Sequence, residues 1–233
     1  MYFISYNGIS GNDMGVYAVT RPSIPAPELR YEETTIAGRD GTLVSSDGTY
    51  NNVEISIQLN YMSRRSEWFN MYRSIKSWLL NRDGNRHLEF SDDPDFFYKV
   101  KNVTIGTNER TSQRIGVITP TFLCEPFQYL RTGQVKKSIG KVLRNSYYTS
   151  QPVYYIEGTG KCELTVNGKK VVAEVEGNMT IDTELMISYK DDGELKNTSL
   201  TGDYMDLFLK HGENYIEVTD GFTVKVKPNW RSL

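Results

Sequence analysis

The alternation of apolar and polar residues in the first half of the chain predicts strands around a single helix. Residues 53–61 place an apolar side chain at every second position, which is the pattern of an antiparallel strand with one buried face. Ser63 or Ser66 is predicted to cap the start of a helix over residues 66–81, which ends in a turn. Four apolar residues of that helix have the spacing of one stripe against a sheet: Trp68, Tyr72, Ile75 and Leu79.

Shorter strand patterns lie on both sides of this helix. After it, strands are predicted over residues 87–90, 96–105 and 114–124. Because proline cannot donate a hydrogen bond to a neighbouring strand, Pro120 in the last of these indicates an edge strand or a bulge. Before the helix, Asp47-Gly48 is predicted as a tight hairpin turn that leads into the strand at residue 53.

The pattern in the second half of the chain predicts β structure throughout. Short apolar runs separated by turn residues, with a repeat of about ten positions, are typical of a sandwich. Between two of these runs, Asn167-Gly168 is the strongest hairpin signal in the sequence, because both residues accept the positive φ of a tight turn. The predicted strands are residues 152–157, 162–166, 171–172, 178–182, 185–189, 204–209, 215–219 and 222–227.

The length of 233 residues suits two domains, each large enough to form its own core. We predict a mainly β protein with two β-sandwich-like domains, residues 1–130 with the one helix and residues 146–233. Residues 131–145 are predicted as a basic linker or first strand, or alternatively as a strip that contacts an acidic neighbour or DNA. Their charged residues are all basic: Arg131, Lys136, Lys137, Lys141 and Arg144.

Composition argues against several classes of function. A net charge of −2 gives no overall reason to expect nucleic-acid binding. Cys124 and Cys162 fall in different predicted domains, so we expect neither a disulfide nor a metal set from them. The first residues lack the basic and apolar runs of a signal peptide, and we expect no membrane insertion. The 16 tyrosines suit surfaces that become buried on assembly, although tyrosine is also common in strands.

No catalytic arrangement is recognisable among the reactive residues. His87 and His211 lie in different halves of the sequence, and neither is near a nucleophile turn. The sequence contains no glycine motif for phosphate or dinucleotide binding. Asp92, Asp93 and Asp95 have a spacing that would suit calcium, but a proline interrupts them, and a turn that caps its own backbone is the simpler interpretation. We therefore expect no enzymatic activity, no metal and no cofactor.

Aromatic residues leave carbohydrate binding as an alternative function. Trp68 and Trp78 lie on the predicted helix and are expected to be buried, whereas Trp230 is either buried or available to stack on a sugar. Under this hypothesis the second domain is a carbohydrate-binding module for host cell-wall or surface glycans, and binding depends on Trp230 or Tyr215. A third hypothesis, a cell-wall hydrolase, has no positive support in the sequence.

Short motifs run through the whole chain in a defined order. Each is weak alone, whereas their order and spacing together are specific. In the first half they are residues 36–41, the alternating strand that begins at Val53, and residues 77–80, 88–98 and 122–127, and in the second half residues 152–160, 179–182, 212–214 and 230–231. On these motifs the chain resembles the distal tail proteins of bacteriophages with long, non-contractile tails.

The resemblance implies a structural role in the virion. It implies a hexameric ring at the far end of the tail, in which the N-terminal domain continues the tube and a galectin-like C-terminal domain faces outward. The implied partners are further copies of the chain, the tail tube protein, the tail-associated hub protein, and receptor-binding or baseplate proteins. The implied location is the tail tip, with assembly in the host cytoplasm. Larger members of the family carry inserted carbohydrate-binding modules, for which this chain has no room.

The turn Gly38-Arg39-Asp40-Gly41 is the candidate signature of a subunit interface. Its two glycines permit a tight backbone path. Arg39 and Asp40 would pair either with a neighbouring subunit or with each other in a local hairpin turn, and the sequence leaves both alternatives open.

Overall fold

The computed structural model describes residues 2–233, which form two compact units. The first unit extends to Gln128 and includes Leu233, and the second unit is Tyr129–Ser232, so the last two residues of the strand Ile115–Leu130 belong to the second unit. The sequence placed the end of its first domain at residue 130. Both units are mainly β and sandwich-like, which confirms the predicted fold class.

The first unit contains one large sheet, one separate strand pair and one helix. The large sheet has the strand order β2-β1-β8-β9-β10-β7-β3, with β6 also paired to β10, while β4 pairs with β5. A short 3₁₀ turn, Arg65–Glu67, precedes the helix. The elements are β1 (Ile4–Tyr6), β2 (Ile9–Ser10), β3 (Val16–Ala18), β4 (Glu32–Thr35), β5 (Thr42–Ser45), β6 (Val53–Ser56), β7 (Leu59–Met62), α1 (Trp68–Leu80), β8 (His87–Phe90), β9 (Asp93–Arg110) and β10 (Ile115–Leu130).

The helix α1 confirms the predicted helix and its apolar stripe. Trp78 is also buried, and its indole N–H donates a hydrogen bond to the carbonyl oxygen of Tyr6 over 2.9 Å. The predicted serine cap is wrong, because the helix begins after Glu67 and has no side-chain cap. Three of the stripe residues are buried in the core of the first unit and the fourth is partly buried against it: Trp68, Ile75, Leu79 and Tyr72.

Residues 53–61 keep the predicted alternation of buried and exposed side chains but form two strands. β6 pairs with residues 121–124 of β10, and β7 pairs with residues 115–118 in a continuous register. Between them, the amide of Ile57 donates to the carbonyl oxygen of Pro120 over 3.0 Å, and Pro120 has no N–H to return the bond. Pro120 therefore interrupts the ladder inside a central strand, so the predicted edge strand is wrong, and the register against β6 and β7 has no bulge.

The predicted hairpin turn at Asp47-Gly48 is also wrong. β5 pairs with the preceding strand β4 and not with β6, so the hairpin loop is residues 36–41. Asp47 instead closes a local turn, because its carboxylate accepts hydrogen bonds from the amide and the hydroxyl of Thr49 over 2.9 and 2.6 Å. These bonds lower the pKa of Asp47.

The second unit is a curled sheet. Its main path has the strand order β11-β18-β13-β14-β15, β17 pairs with β12 and β13, and β16 pairs with β14. Short 3₁₀ turns occur at Arg131–Gln134, Asn197–Ser199 and Tyr204–Leu207. The strands are β11 (Lys137–Ser138), β12 (Val142–Asn145), β13 (Val153–Val166), β14 (Lys169–Asp182), β15 (Ile187–Tyr189), β16 (Leu200–Thr201), β17 (Gly212–Val218), β18 (Thr223–Lys227) and β19 (Arg231–Ser232).

The hairpin at Asn167-Gly168 is confirmed, with φ values of 51° and 78°. It joins two strands of 14 residues each, β13 and β14, where four shorter strands were predicted. β13 pairs with β18 over residues 153–157 and with β17 over residues 164–166. Gly158 and Gly160 lie between these stretches with φ values of 151° and 110°. Their conformational freedom lets the strand bend as the sheet curls.

Residues 131–145 belong to the second unit and supply the short strands β11 and β12. Two of their lysines lie over aromatic rings: the ammonium of Lys136 is 3.5 Å from the centroid of Tyr155, and that of Lys137 is 5.0 Å from the centroid of Trp230. This part of the basic segment therefore has cation–π contacts within its own unit.

Candidate assembly surfaces

A long exposed segment occupies residues 28–49 of the first unit, and we call it the arm. Every residue in it is exposed. β4 and β5 pair only with each other among the described strands, so both outer edges of this hairpin lack a strand partner. A two-stranded hairpin is marginally stable in water by itself. The arm would therefore be stabilised by contact with another molecule.

The arm combines apolar surface with negative charge. Five of its large apolar side chains are between 41% and 57% exposed: Leu29, Tyr31, Ile36, Leu43 and Val44. Leu43 and Val44 are adjacent in β5, so their side chains point to opposite faces and give both faces of the hairpin apolar surface. The acidic residues of the arm outnumber its basic residues by three, since it carries Glu28, Glu32, Glu33, Asp40 and Asp47 against Arg30 and Arg39.

The predicted signature turn lies at the tip of the arm. Gly38 and Gly41 have φ values of 80° and 77°, a conformation that glycine adopts without the strain of a Cβ atom. Arg39 and Asp40 have no ion-pair partner within residues 2–233. The local ion pair that the sequence left open is thus not formed, and both charges remain available to another molecule.

Residues on both sides of the arm contact the rest of the first unit. Before the arm, the Nε of Arg21 donates to the carboxylate of Asp92 over 2.8 Å, and its guanidinium lies 5.2 Å from the ring centroid of Tyr2. The hydrogen bond from Arg21 lowers the pKa of Asp92, while burial and then the charge of Asp92 raise the pKa of Tyr2 to about 12. After the arm, Tyr50 packs edge to face on Phe127 with ring centroids 5.9 Å apart.

A groove of about 520 Å³ lies beside the start of α1. Arg114 is held at this groove, because its Nε donates to the carbonyl oxygen of Ser63 over 3.2 Å and its own carbonyl accepts from the Ser63 amide over 2.9 Å. Sequence patterns gave no sign of this groove, since three separate stretches of the chain line it. Its lining residues are Met14, Met62, Ser63, Arg64, Glu67, Asn70, Met71, Ser74 and Arg114.

The two histidines are far apart in the sequence and lie in different units. The ring of His87 stacks on Phe97 with centroids 3.8 Å apart. His211 is exposed, and its Nδ1 lies 3.1 Å from the carbonyl oxygen of Tyr147. Each histidine therefore has its described contact within its own unit.

The aspartate cluster serves local structure. Asp92 forms the ion pair with Arg21 described above, and Asp93 begins strand β9. Burial and then the charges of Asp95 and Asp92 raise the pKa of Asp93. Across residues 2–233, no group of three or more histidine, cysteine, aspartate or glutamate side chains is placed to hold a metal ion.

The aromatic residues considered for sugar binding have different surroundings. Trp230 is only 7% exposed and has Lys137 over its ring, so it does not offer an open stacking surface. Tyr215 is 57% exposed, and its hydroxyl donates to the carboxylate of Glu213 over 3.0 Å. Within the described part of the chain, no helix has the length and apolar character needed to span a bilayer.

Among solved structures, the chain is similar to the crystal structure of SPP1 Dit (gp 19.1), described as a paradigm of the hub adsorption apparatus in phages that infect Gram-positive bacteria. The match covers 100% of both chains, with a TM-score of 0.69 and 16% sequence identity. The chain has the Dit fold. The resemblance inferred from the ordered motifs is thus confirmed at the level of the fold. No protein-family model and no curated protein sequence matches the chain.

Proposed function

We propose that this chain is a distal tail protein, and that six copies form a ring at the end of a long, non-contractile phage tail. The observation that carries this proposal is the match in fold to SPP1 Dit over the full length of both chains. A match that includes both units favours one shared role over a chance likeness between two common β folds.

The exposed arm supports self-association. A closed ring needs each subunit to present two different, complementary surfaces. The arm is one surface of this kind, because it is apolar, charged and without strand partners at its edges among the described residues. In this proposal Gly38, Arg39, Asp40 and Gly41 at its tip belong to the subunit interface.

The two halves of the chain have separate roles in the proposed ring. Residues 1–130 form the ring, continue the tail tube and contact the tail-associated hub protein. Residues 146–233 form a galectin-like domain that faces outward and carries receptor-binding or baseplate proteins. The protein acts through these interfaces and not as an enzyme, and it assembles in the host cytoplasm before it reaches the tail tip.

Particle mass and shape test this proposal. Light scattering on the purified chain, alone and mixed with the hub protein, should give a species of six times the 26.7 kDa of one chain. Electron micrographs of the same sample should show rings with a central opening. A chain that stays monomeric at micromolar to millimolar concentration, and also forms no ring with the hub protein, would contradict the proposal.

A further inference from the structure

We propose that the methionine-lined groove beside α1 receives the arm of a second copy of this chain. This inference rests on the proposed self-assembly and names the surface that each arm contacts. The arm and the groove are different surfaces of the same unit, so the contact would be head-to-tail and can be repeated around a ring.

One part of the groove lining is apolar, and this part suits the exposed aliphatic and aromatic side chains of the arm. Met14, Met62 and Met71 line it, and Met62 is 64% exposed. Methionine is flexible and polarizable, and it adapts to side chains of irregular shape. The groove volume of about 520 Å³ has room for side chains such as Leu43 or Val44 of the arm.

The charge of the groove complements that of the arm. Arg64 and Arg114 line the groove with one acidic residue, Glu67. The start of α1 adds partial positive charge because no side chain caps it. The arm has five acidic and two basic residues, all exposed. Complementary charges of this kind set partner choice and register.

The arm does not reach the groove of its own copy. No residue of 28–49 lines the groove, and the chain on either side of the arm makes the Arg21–Asp92 and Tyr50–Phe127 contacts within the unit. A second copy can supply an arm to this groove while its own groove stays open for a third, as a closed ring requires.

Charge reversal on each surface tests the contact. The groove variant is Arg64→Glu with Arg114→Glu, and the arm variant is Glu32→Lys with Glu33→Lys. These four residues are exposed, so the substitutions leave the cores unchanged. Each variant alone should associate at least about 10-fold more weakly than the unchanged chain, because like charges then face each other. Combining all four substitutions in one chain should restore association, and so should mixing the two variants.

The assay is sedimentation velocity under the condition in which the unchanged chain assembles, alone or with hub protein. Arg82→Glu and Glu109→Lys are matched controls, since both side chains are exposed in the first unit but lie outside the groove and the arm. They should leave association within about 2-fold of the unchanged chain.

The outcomes separate this inference from the proposed function. If the unchanged chain never assembles, both the proposed function and the proposed docking are contradicted. Normal assembly by the charge-reversed variants overturns the docking alone. The docking is also overturned if the single-surface variants assemble more weakly and the combined variant does not restore assembly, provided that a melting curve shows the combined variant to be folded. The arm then contacts a different surface or a different protein.

Discussion

Replacing Trp78 by alanine tests how α1 is held in the first unit. The side chain is 4% exposed, and its indole N–H donates to the carbonyl oxygen of Tyr6. A buried aromatic side chain hides roughly 150–250 Å² from water. At about 25 cal/mol per Å² this corresponds to roughly 4–6 kcal/mol, an upper bound because an unfolded chain already hides part of that area. We expect a loss of about 3–5 kcal/mol, as for other buried tryptophans.

Calorimetric melting of the purified variant measures this loss. In a unit of this size, each kcal/mol lowers the melting temperature by about 3–5 °C, so the expected shift is about 9–25 °C. Phe69→Ala on the same helix is the control, because Phe69 is 60% exposed, and it should cost no more than about 1 kcal/mol. Trp78→Phe keeps a ring but loses the N–H, and should cost less than Trp78→Ala. A Trp78→Ala variant that melts within about 3 °C of the unchanged protein would refute the placement of the helix.

Two further predictions concern buried positions. Gly116→Ala should destabilise the first unit by about 1–3 kcal/mol, since a Cβ atom there overlaps the ring of Tyr61. Calorimetry measures the loss, with Gly106→Ala as the control because its Cβ atom would make only an ordinary contact. Equal melting temperatures of the two variants would contradict this reasoning. Burial raises the pKa of the Cys124 and Cys162 thiols to about 12 and 11, so both should resist a thiol reagent at pH 8 in the folded protein and react in denaturant. A thiol that reacts within seconds in the folded chain would show that its site is open.

The elements that the sequence predicted well are those fixed by local pattern. The stripe of α1 and the alternation over residues 53–61 appear in the structure because burial on one face depends on spacing alone. The Asn167-Gly168 hairpin appears because its backbone conformation strongly favours these residues. Strand lengths were harder to predict. The glycines that were interpreted as turn residues lie inside the long strands β13 and β14.

The arm and the groove show where local pattern is insufficient. β4 and β5 have no buried face, so no alternation marks them, and the turn residues at Asp47-Gly48 were assigned to the wrong strand pair. The groove is formed by residues from three stretches of the chain that only the tertiary fold brings together. The sequence identified Pro120 as unusual. Its effect depends on which neighbouring strand would accept the hydrogen bond that proline cannot donate, and only the arrangement of the sheet shows this.

The long β13–β14 hairpin constrains the order in which the second unit can form during synthesis. Its fourteen residue pairs are close in sequence, so it is able to zip up from Asn167-Gly168 soon after both strands emerge from the ribosome. β17 and β18, which flank β13, are made only later, at residues 212–227. Until then the nascent hairpin exposes one long edge of β13 to other chains, a period in which chaperones or rapid elongation would limit aggregation.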